Sequence, residues 1–375
     1  MRSYPNSLAI AGAWGYIGRK FLDAARRRRI PTLVFDPGDI PQDLEQTSFE
    51  RITDPQQFYA SQSEWFHLAM HPQHRQAGLE QLLARAATGE DIAVLNEKPL
   101  VAPENPEQCQ DLVQQAEQAE ILMLFDFPEL FDPLTERIIE YLKSFREVRI
   151  TDIYLCRSKD RESPHEPRNF KPMVPIQYQE SVHCLAFLIY LLAKIHGDTA
   201  AAFQHGVTVR GQAAAYRPPN PEIYPHVVDG RCHYHLGLGP LSVEGQTDFK
   251  AGADTTKQRI LSGMGDGKPL QVEVDYQEGR KRLVINGMDR TMDPAANSYD
   301  NVLRTMTRWR RSETRQHLMN GVYPNPTFAR ITYQLSSVLW RACYDKRSIH
   351  LESLDDLLAF DAAFAQAKPT LPRYE

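Results

Sequence analysis

The chain has little of what marks most specialised classes of protein. Only 5 of its 375 residues are cysteine. Cys109, Cys156, Cys184, Cys232 and Cys343 are scattered, odd in number and without CxxC spacing, which argues against a zinc knuckle and fits a reducing compartment. Long hydrophobic runs are missing too. The longest, Leu185 to Ala193, is too short to span a bilayer, and the N-terminus has no stretch apolar enough for a signal peptide. Neither sign of charge dominates: 43 Lys and Arg stand against 48 Asp and Glu, so neither nucleic acid nor an anionic membrane is expected as a partner. The one basic run, Arg26 to Arg29, closes a predicted helix, where cations complement the dipole. Internal repeats and low-complexity segments are also lacking. What remains is a globular chain, 42% hydrophobic and 24% charged, long enough for two domains with separate cores and expected in the cytoplasm.

The segment Ser7 to Asp36 carries the strongest signal. It reads as an apolar strand, a glycine turn, a helix, a second apolar strand and a terminal acid. Gly12 permits the tight turn, Gly15 lets the backbone approach a pyrophosphate, and Gly18 lets the helix pack closely on the sheet. The helix N-terminus offers its unpaired N–H groups and positive dipole end to the phosphates. Asp36, 18 residues beyond Gly18, is placed to accept hydrogen bonds from an adenosine ribose. The cofactor contacts expected are Gly12, Ala13, Trp14, Gly15, Tyr16, Ile17, Gly18 and Asp36. Because Asp36 repels a 2′-phosphate, and no arginine follows it before Arg51, NAD is expected in preference to NADP.

The chain then changes character. Apolar strands at Trp65 to Met70, Ile92 to Leu95 and Ile121 to Phe125 alternate with helices at Gln76 to Thr88 and Glu104 to Ala119, which predicts a parallel, doubly wound sheet. From Val148 a meander follows: Val148 to Arg157, Gly206 to Arg217, Gly230 to Gly237, Leu241 to Phe249, Leu270 to Tyr276 and Lys281 to Ile285. One apolar helix, Leu185 to His196, interrupts it, and two long helices are expected near Ser298 to Asn320 and Pro326 to Tyr344. The fold class expected is α/β plus α+β. A dinucleotide-binding domain over 1–145 precedes a substrate-binding domain over 146–375, built on an open, mostly antiparallel sheet, whose terminal helices are free to pack back on the first. The alternating apolar positions Val243, Leu270, Val272, Val274, Leu283 and Ile285 predict a sheet face that needs cover, hence a homodimer or homotetramer.

Asn96-Glu97-Lys98-Pro99 follows a strand directly, so Lys98 sits at the carboxyl end of a parallel strand, where open α/β sheets bind ligands. The glycine turn, the stretch WFHLAMHPQHR with Pro72 and His74, the following helix and then NEKPL together resemble the Gfo/Idh/MocA family of glucose–fructose oxidoreductase, inositol dehydrogenase and their relatives. The resemblance implies a Rossmann domain followed by an open mixed sheet. It also implies contacts to the nicotinamide side from Pro72, His74, Glu97 and Lys98, with Lys98 touching the substrate. A second signature of that family, an aspartate four residues before a histidine at a helix start, matches Gln177 to His183. It implies that His183 is a general acid/base, a task suited to an imidazole. Gln179 stands where the family has aspartate, and Ala186 where a second aspartate often follows; Glu180 is next door but rotated by about 100° along a helix.

Catalysis is therefore expected from Lys98 and His183. Substrate contacts are expected from Lys98, Arg157, Arg168, Tyr178, Gln179, Glu180 and His183, the arginines flanking a charged, proline-rich loop over Ser158 to Pro175. The activity implied is an NAD-dependent transfer of hydride between nicotinamide and a secondary alcohol or carbonyl of a sugar, cyclitol or related polyol. Two alternatives stand beside it: a short-chain-type reductase using Tyr190 and Lys194, and a nucleotide-binding member of the family without dehydrogenase activity. Neither His71-x-x-His74 nor His233-x-His235 has further ligands at metal spacing, so no metal is expected. Asp126, Glu129 and Asp132 would serve glycoside cleavage only as two acids facing across a cleft, which spacing does not show.

Overall fold

Six short strands form one sheet, its four central and inner strands largely apolar on both faces and its edge closed by a short charged strand: β1 (Leu8–Ala11), β2 (Thr32–Phe35), β3 (Glu50–Arg51), β4 (Trp65–Leu68), β5 (Ala93–Asn96) and β6 (Leu122–Phe125). β1, β4, β5 and β6 are buried along their whole length in the computed structural model, which describes residues 3–44, 49–161, 163–170, 174–215, 229–249, 256–293 and 296–367. All the pairings are parallel and the order is β3-β2-β1-β4-β5-β6. The order reverses between β1 and β4, and the crevice at such a switch point is where doubly wound sheets bind ligands. Four helices make the crossovers: α1 (Tyr16–Arg27), α2 (Pro55–Ala60), α3 (Pro72–Ala87) and α4 (Gln108–Gln118).

The chain divides into two compact units, and the division is discontinuous. The sequence suggests one boundary at 145; the first unit instead comprises Met1–Ala102, Glu107–Asp132 and Asn297–Arg330. Its late segment is held by charge. Asp300, on the helix Ser298–Ser312, receives Arg27 at 3.0 Å and Arg28 at 2.7 Å. The basic run at the end of α1 thus pairs with a nearly buried carboxylate as well as completing its own helix. The helix expected over Ser298 to Asn320 is two, Ser298–Ser312 and Arg315–Asn320, because Thr314 caps the second by accepting from the His317 N–H.

The second unit is built on nine strands: β7 (Val148–Ser158), β8 (Val207–Ala215), β9 (Asp229–Leu238), β10 (Leu241–Asp248), β11 (Gln258–Gly265), β12 (Lys268–Asp275), β13 (Arg282–Ile285), β14 (Met288–Asp289) and β15 (Ile349–Leu351). Their order is β14-β13-β12-β11-β7-β10-β9-β8-β15. Every pairing is antiparallel except β7 with β10, so the sheet is mixed. β11, in the middle of the sheet, has no counterpart among the predicted strands. Its Gly263 lies at a bulge where a Cβ would overlap the Arg149 carbonyl of β7. The predicted strand over Gly206 to Arg217 is β8, with positions 216 and 217 outside the described residues.

The apolar positions that predicted an oligomer contact are already covered. Val243, Leu270, Val272, Val274, Leu283 and Ile285 are all buried within the chain. They share a sheet face with Arg259, whose guanidinium lies 5.6 Å from the Phe187 ring on the helix α6 (Val182–His196), the next long helix after α5 (Pro133–Lys143). The opposite face is partly exposed and mixes apolar Ile260 and Met264 with Ser242, Glu244 and Gln271.

The first sheet depends on a contact that only glycine permits. Gly12 has φ +77°, and a Cβ there would lie 2.6 Å from Met70 Cγ and 2.8 Å from the Ala69 carbonyl oxygen. At Gly18 a Cβ would overlap the Gly12 carbonyl oxygen and crowd Ala13. Gly18→Ala is expected to cost about 2–4 kcal/mol, since backbone rather than a flexible side chain must move. Denaturant unfolding of the variant measures this; a change under about 0.5 kcal/mol would contradict the packing described.

Candidate functional site

In the first unit the glycine turn and the end of β2 are clasped together. The Trp14 N–H donates to Asp36 Oδ2 and the Gly38 N–H to Asp36 Oδ1, each at 3.0 Å, while the Trp14 indole N–H donates to the Gly38 carbonyl at 3.1 Å. Each carboxylate oxygen of Asp36 retains a lone pair for a further donor. Gly15 is the N-cap of α1 and supplies no side-chain cap, so no side chain of that cap answers the leading N–H groups. Ala13 is buried, Trp14, Gly15 and Ile17 are half-buried, and Tyr16 is exposed. A phosphate-bearing dinucleotide suits this turn: close backbone approach, a helix start capped by glycine and a carboxylate clasped beside it.

One residue breaks the sequence-based argument about cofactor choice. Arg51 is distant in sequence from Asp36, but the parallel pairing of β3 with β2 sets it opposite Val34. Its Nη2 donates to the Gly38 carbonyl at 2.7 Å and approaches the Asp36 carbonyl at 3.5 Å. An arginine therefore stands at the Asp36 loop after all.

β5 delivers Asn96, Glu97 and Lys98 at its carboxyl end, and a buried arginine fixes them. Arg75, on α3, donates to the Asn96 side-chain oxygen at 2.9 Å, to the carbonyls of Glu97 and Pro99, and to that of Leu100 at 3.3 Å. Burial lowers its pKa to about 10, which leaves it charged at neutral pH. Sequence reasoning passes over Arg75, although it lies on the same helical stripe as buried Leu79, Leu82 and Leu83. Pro72 opens α3 half-buried, and His74 is exposed in its first turn. Glu97 is largely buried, and its Oε1 lies 3.1 Å from His67 Nε2, whose ring packs 4.0 Å from that of Phe21. That carboxylate is thus part of the fold's interior rather than an open ligand to a cofactor. Lys98 is half-buried.

Asp126 follows β6 as Glu97 follows β5, and the register Asn96 to Phe125 makes them neighbours. Burial, reinforced by Glu97 and then Glu129, holds the Asp126 carboxyl well above the usual carboxylate range, with Lys98 opposing. Asp132 instead accepts from the Asn301 amide at 3.1 Å. No pair of open acids facing across a cleft emerges from Asp126, Glu129 and Asp132, all of which are buried.

In the second unit a wide π-type turn, Gln177–Ser181, runs straight into α6. Almost every residue of it is tied down. The Arg157 Nε donates to Glu180 Oε2 at 2.6 Å, and Lys159 Nζ lies 3.6 Å from Glu180 Oε1. Ser181 and Thr247 share a hydroxyl bond of 2.7 Å, Gln177 donates to Asp229 at 3.1 Å, and the Tyr178 hydroxyl donates to Ser337 at 3.0 Å. Arg157, Tyr178 and Glu180, expected to touch substrate, are buried and serve instead to pin this turn. Gln179 is the half-exposed member, and His183 follows one step into α6 with 5% exposure. The Arg168 side chain lies outside the described residues.

Tyr190 is buried within α6, and the Lys194 ammonium sits 5.3 Å over its ring. With the second sheet mixed rather than a continuation of the parallel one, this pair is core packing and not a short-chain reductase dyad. Among the described residues no three His, Cys, Asp or Glu side chains are grouped to hold a metal ion, and the five cysteines are unbridged. No helix among the described residues is long and apolar enough to cross a membrane.

Asp126→Asn tests the buried acid pair. A carboxyl whose folded pKa exceeds its ordinary value of 3.8 supports the fold fully below about pH 4 and loses that support as pH rises toward the folded value. Wild-type stability should therefore fall on raising the pH from about 4 toward neutrality, by up to about 1.4 kcal/mol per unit, and the asparagine variant should fall less. Superimposable slopes in pH-dependent urea unfolding would count against it.

No protein-family profile and no curated protein matches the chain by sequence. Solved structures match it over nearly its whole length. A myo-inositol dehydrogenase from Corynebacterium glutamicum superposes with TM-score 0.65 at 14% identity, over 92% of this chain and 98% of that one. An oxidoreductase from Agrobacterium radiobacter, in complex with NAD+, L-tartaric acid and magnesium, gives 0.64 at 13%, over 93% and 98%. A super-repressor mutant of Gal80p from Saccharomyces cerevisiae gives 0.69 at 12%, over 95% and 100%. The chain shares the fold of these structures over nearly its whole length, a parallel six-stranded sheet followed by a mixed nine-stranded one.

Proposed function

We propose that the protein is a nicotinamide-dependent oxidoreductase acting on a secondary alcohol or carbonyl of a sugar, cyclitol or related polyol, with NAD preferred. The observation that carries this is the glycine turn at the β1/β4 switch point, which seats a glycine-capped helix N-terminus beside Asp36. Likeness to a myo-inositol dehydrogenase and to an oxidoreductase bound to NAD+ supports the same reading. Gly12, Gly15 and Gly18 admit the pyrophosphate, and Asp36 accepts the adenosine ribose hydroxyls. A bound nicotinamide supplies or accepts the hydride. Lys98, held at the end of β5 by the Arg75 clasp, hydrogen-bonds the reacting substrate oxygen, and His183 exchanges its proton. The cytoplasm is the compartment proposed, on the strength of the unbridged cysteines.

Gln179 cannot stabilise an imidazolium as a carboxylate would, and Glu180 is committed to Arg157 and Lys159. That departure favours a second reading: a dinucleotide-binding regulator without turnover, a possibility in keeping with the shared fold of the Gal80p repressor mutant. Activity across a polyol panel separates the two. Lys98→Ala and His183→Asn are each expected to lower turnover about 100-fold or more while leaving NAD affinity within about threefold. Nucleotide binding with no turnover on any member of the panel would favour the second reading. NAD is expected to bind about ten to a hundred times more tightly than NADP, read by calorimetric titration, and equal affinities would contradict the role given to Asp36. Self-association is proposed through the uncovered face of the second sheet, where Met264 is 39% exposed; a monomer by sedimentation at micromolar concentration would exclude it.

A further inference from the structure

We infer that Arg51 is a latent 2′-phosphate site, masked by Asp36, so that removing the charge at position 36 opens the pocket to NADP through Arg51. The inference rests on the dinucleotide reading above. Three observations carry it. First, β3 pairs with β2 in parallel, which brings Arg51 to the carboxyl end of β2, the strand whose terminal acid meets the adenosine ribose. Second, the guanidinium is held there by backbone carbonyls alone: Nη2 donates to Gly38 O at 2.7 Å and approaches Asp36 O at 3.5 Å, and among the described residues Arg51 makes no ion pair with a carboxylate. Third, its Nε is buried and has no acceptor among the described residues. A cation fixed by neutral carbonyls keeps its full charge for an incoming anion, and a guanidinium matches phosphate oxygens in pairs.

Asp36 is anchored differently. Both of its oxygens accept backbone N–H groups, from Trp14 and Gly38, so the carboxylate stays in place whether or not a nucleotide is present. A 2′-phosphate reaching the end of β2 thus meets the negative charge of Asp36 and the positive charge of Arg51 together. Removing the first leaves the second. A lysine at position 51 would offer a point charge without the planar fork and should serve less well. A ribose hydroxyl, being neutral, gains little from either cation, so NAD binding should be nearly blind to position 51.

Calorimetric titration of NAD and NADP into the full chain tests this with four proteins: wild type, Asp36→Ser, Asp36→Ser/Arg51→Met and Asp36→Ser/Arg51→Lys. Asp36→Ser is expected to tighten NADP about tenfold or more, since one repelling charge is gone. Adding Arg51→Met should cancel that gain while NAD affinity stays within about threefold, and Arg51→Lys should keep part of it. If the Asp36→Ser/Arg51→Met protein binds NADP as tightly as Asp36→Ser, the inference is overturned and the dinucleotide reading stands. Equal weakening of both nucleotides by Arg51→Met would also overturn it, by showing that Arg51 only shapes the loop. A wild type that binds neither nucleotide would remove the inference and the reading together.

Discussion

The first unit turns on a place where two stretches of backbone come closer than any side chain allows. At Gly18 the first turn of α1 rests on the Gly12 carbonyl, and Gly12 itself adopts a left-handed conformation under Ala69 and Met70. That contact directs the start of α1 at the carboxyl end of β1, where the strand order reverses. A helix start capped only by glycine would be a liability there in an ordinary fold, since its N–H groups need acceptors. It becomes an asset if phosphate supplies them. The Asp36 clasp extends the same logic, because a carboxylate fixed by two amide donors presents its remaining lone pairs in one place.

Charge is handled in the interior by a consistent device. Where a polar side chain must be buried, several backbone carbonyls or a second titratable group answer it. Arg75 gathers the carbonyls after β5, which fixes the segment carrying Lys98. Glu97 is matched by His67 and shares its surroundings with an Asp126 carboxyl that burial holds well above the usual carboxylate range. In the second unit the Arg157–Glu180 pair, fully desolvated, is a poor source of net stability but a strong constraint on direction. It sets the π-type turn, and with it the start of α6, one residue before His183.

How much of this was legible in the sequence follows from how local each feature is. The strand–turn–helix–strand unit around Gly12 to Asp36 is written in consecutive residues, so its fold and chemistry can both be read from periodicity and glycine spacing. The shift to a second, largely antiparallel sheet is likewise legible from successive alternating strands. What was not legible depends on pairing at a distance. Arg51 joins the Asp36 loop through a ladder only two residues long, too short to leave a pattern. β11 hides because a bulge at Ser262/Gly263 breaks its apolar alternation. Asp126 and Glu97 meet only because β5 and β6 are adjacent and in register. The alternation over Val243, Leu270 and Leu283 did report a buried face, but the chain's own residues bury it. For the same reason Tyr178 and Glu180 read as ligands beside His183 although packing claims them.

The central claim is that a dinucleotide lies on the turn from Gly12 to Gly18 with its ribose at Asp36. Amide hydrogen exchange with and without NAD tests it most directly. Protection is expected to rise at Ala13 to Ile17 and across Asp36 to Gly38, whose N–H groups border the nucleotide. Unchanged exchange in both segments at saturating NAD, or protection confined to other parts of the chain, would contradict the account.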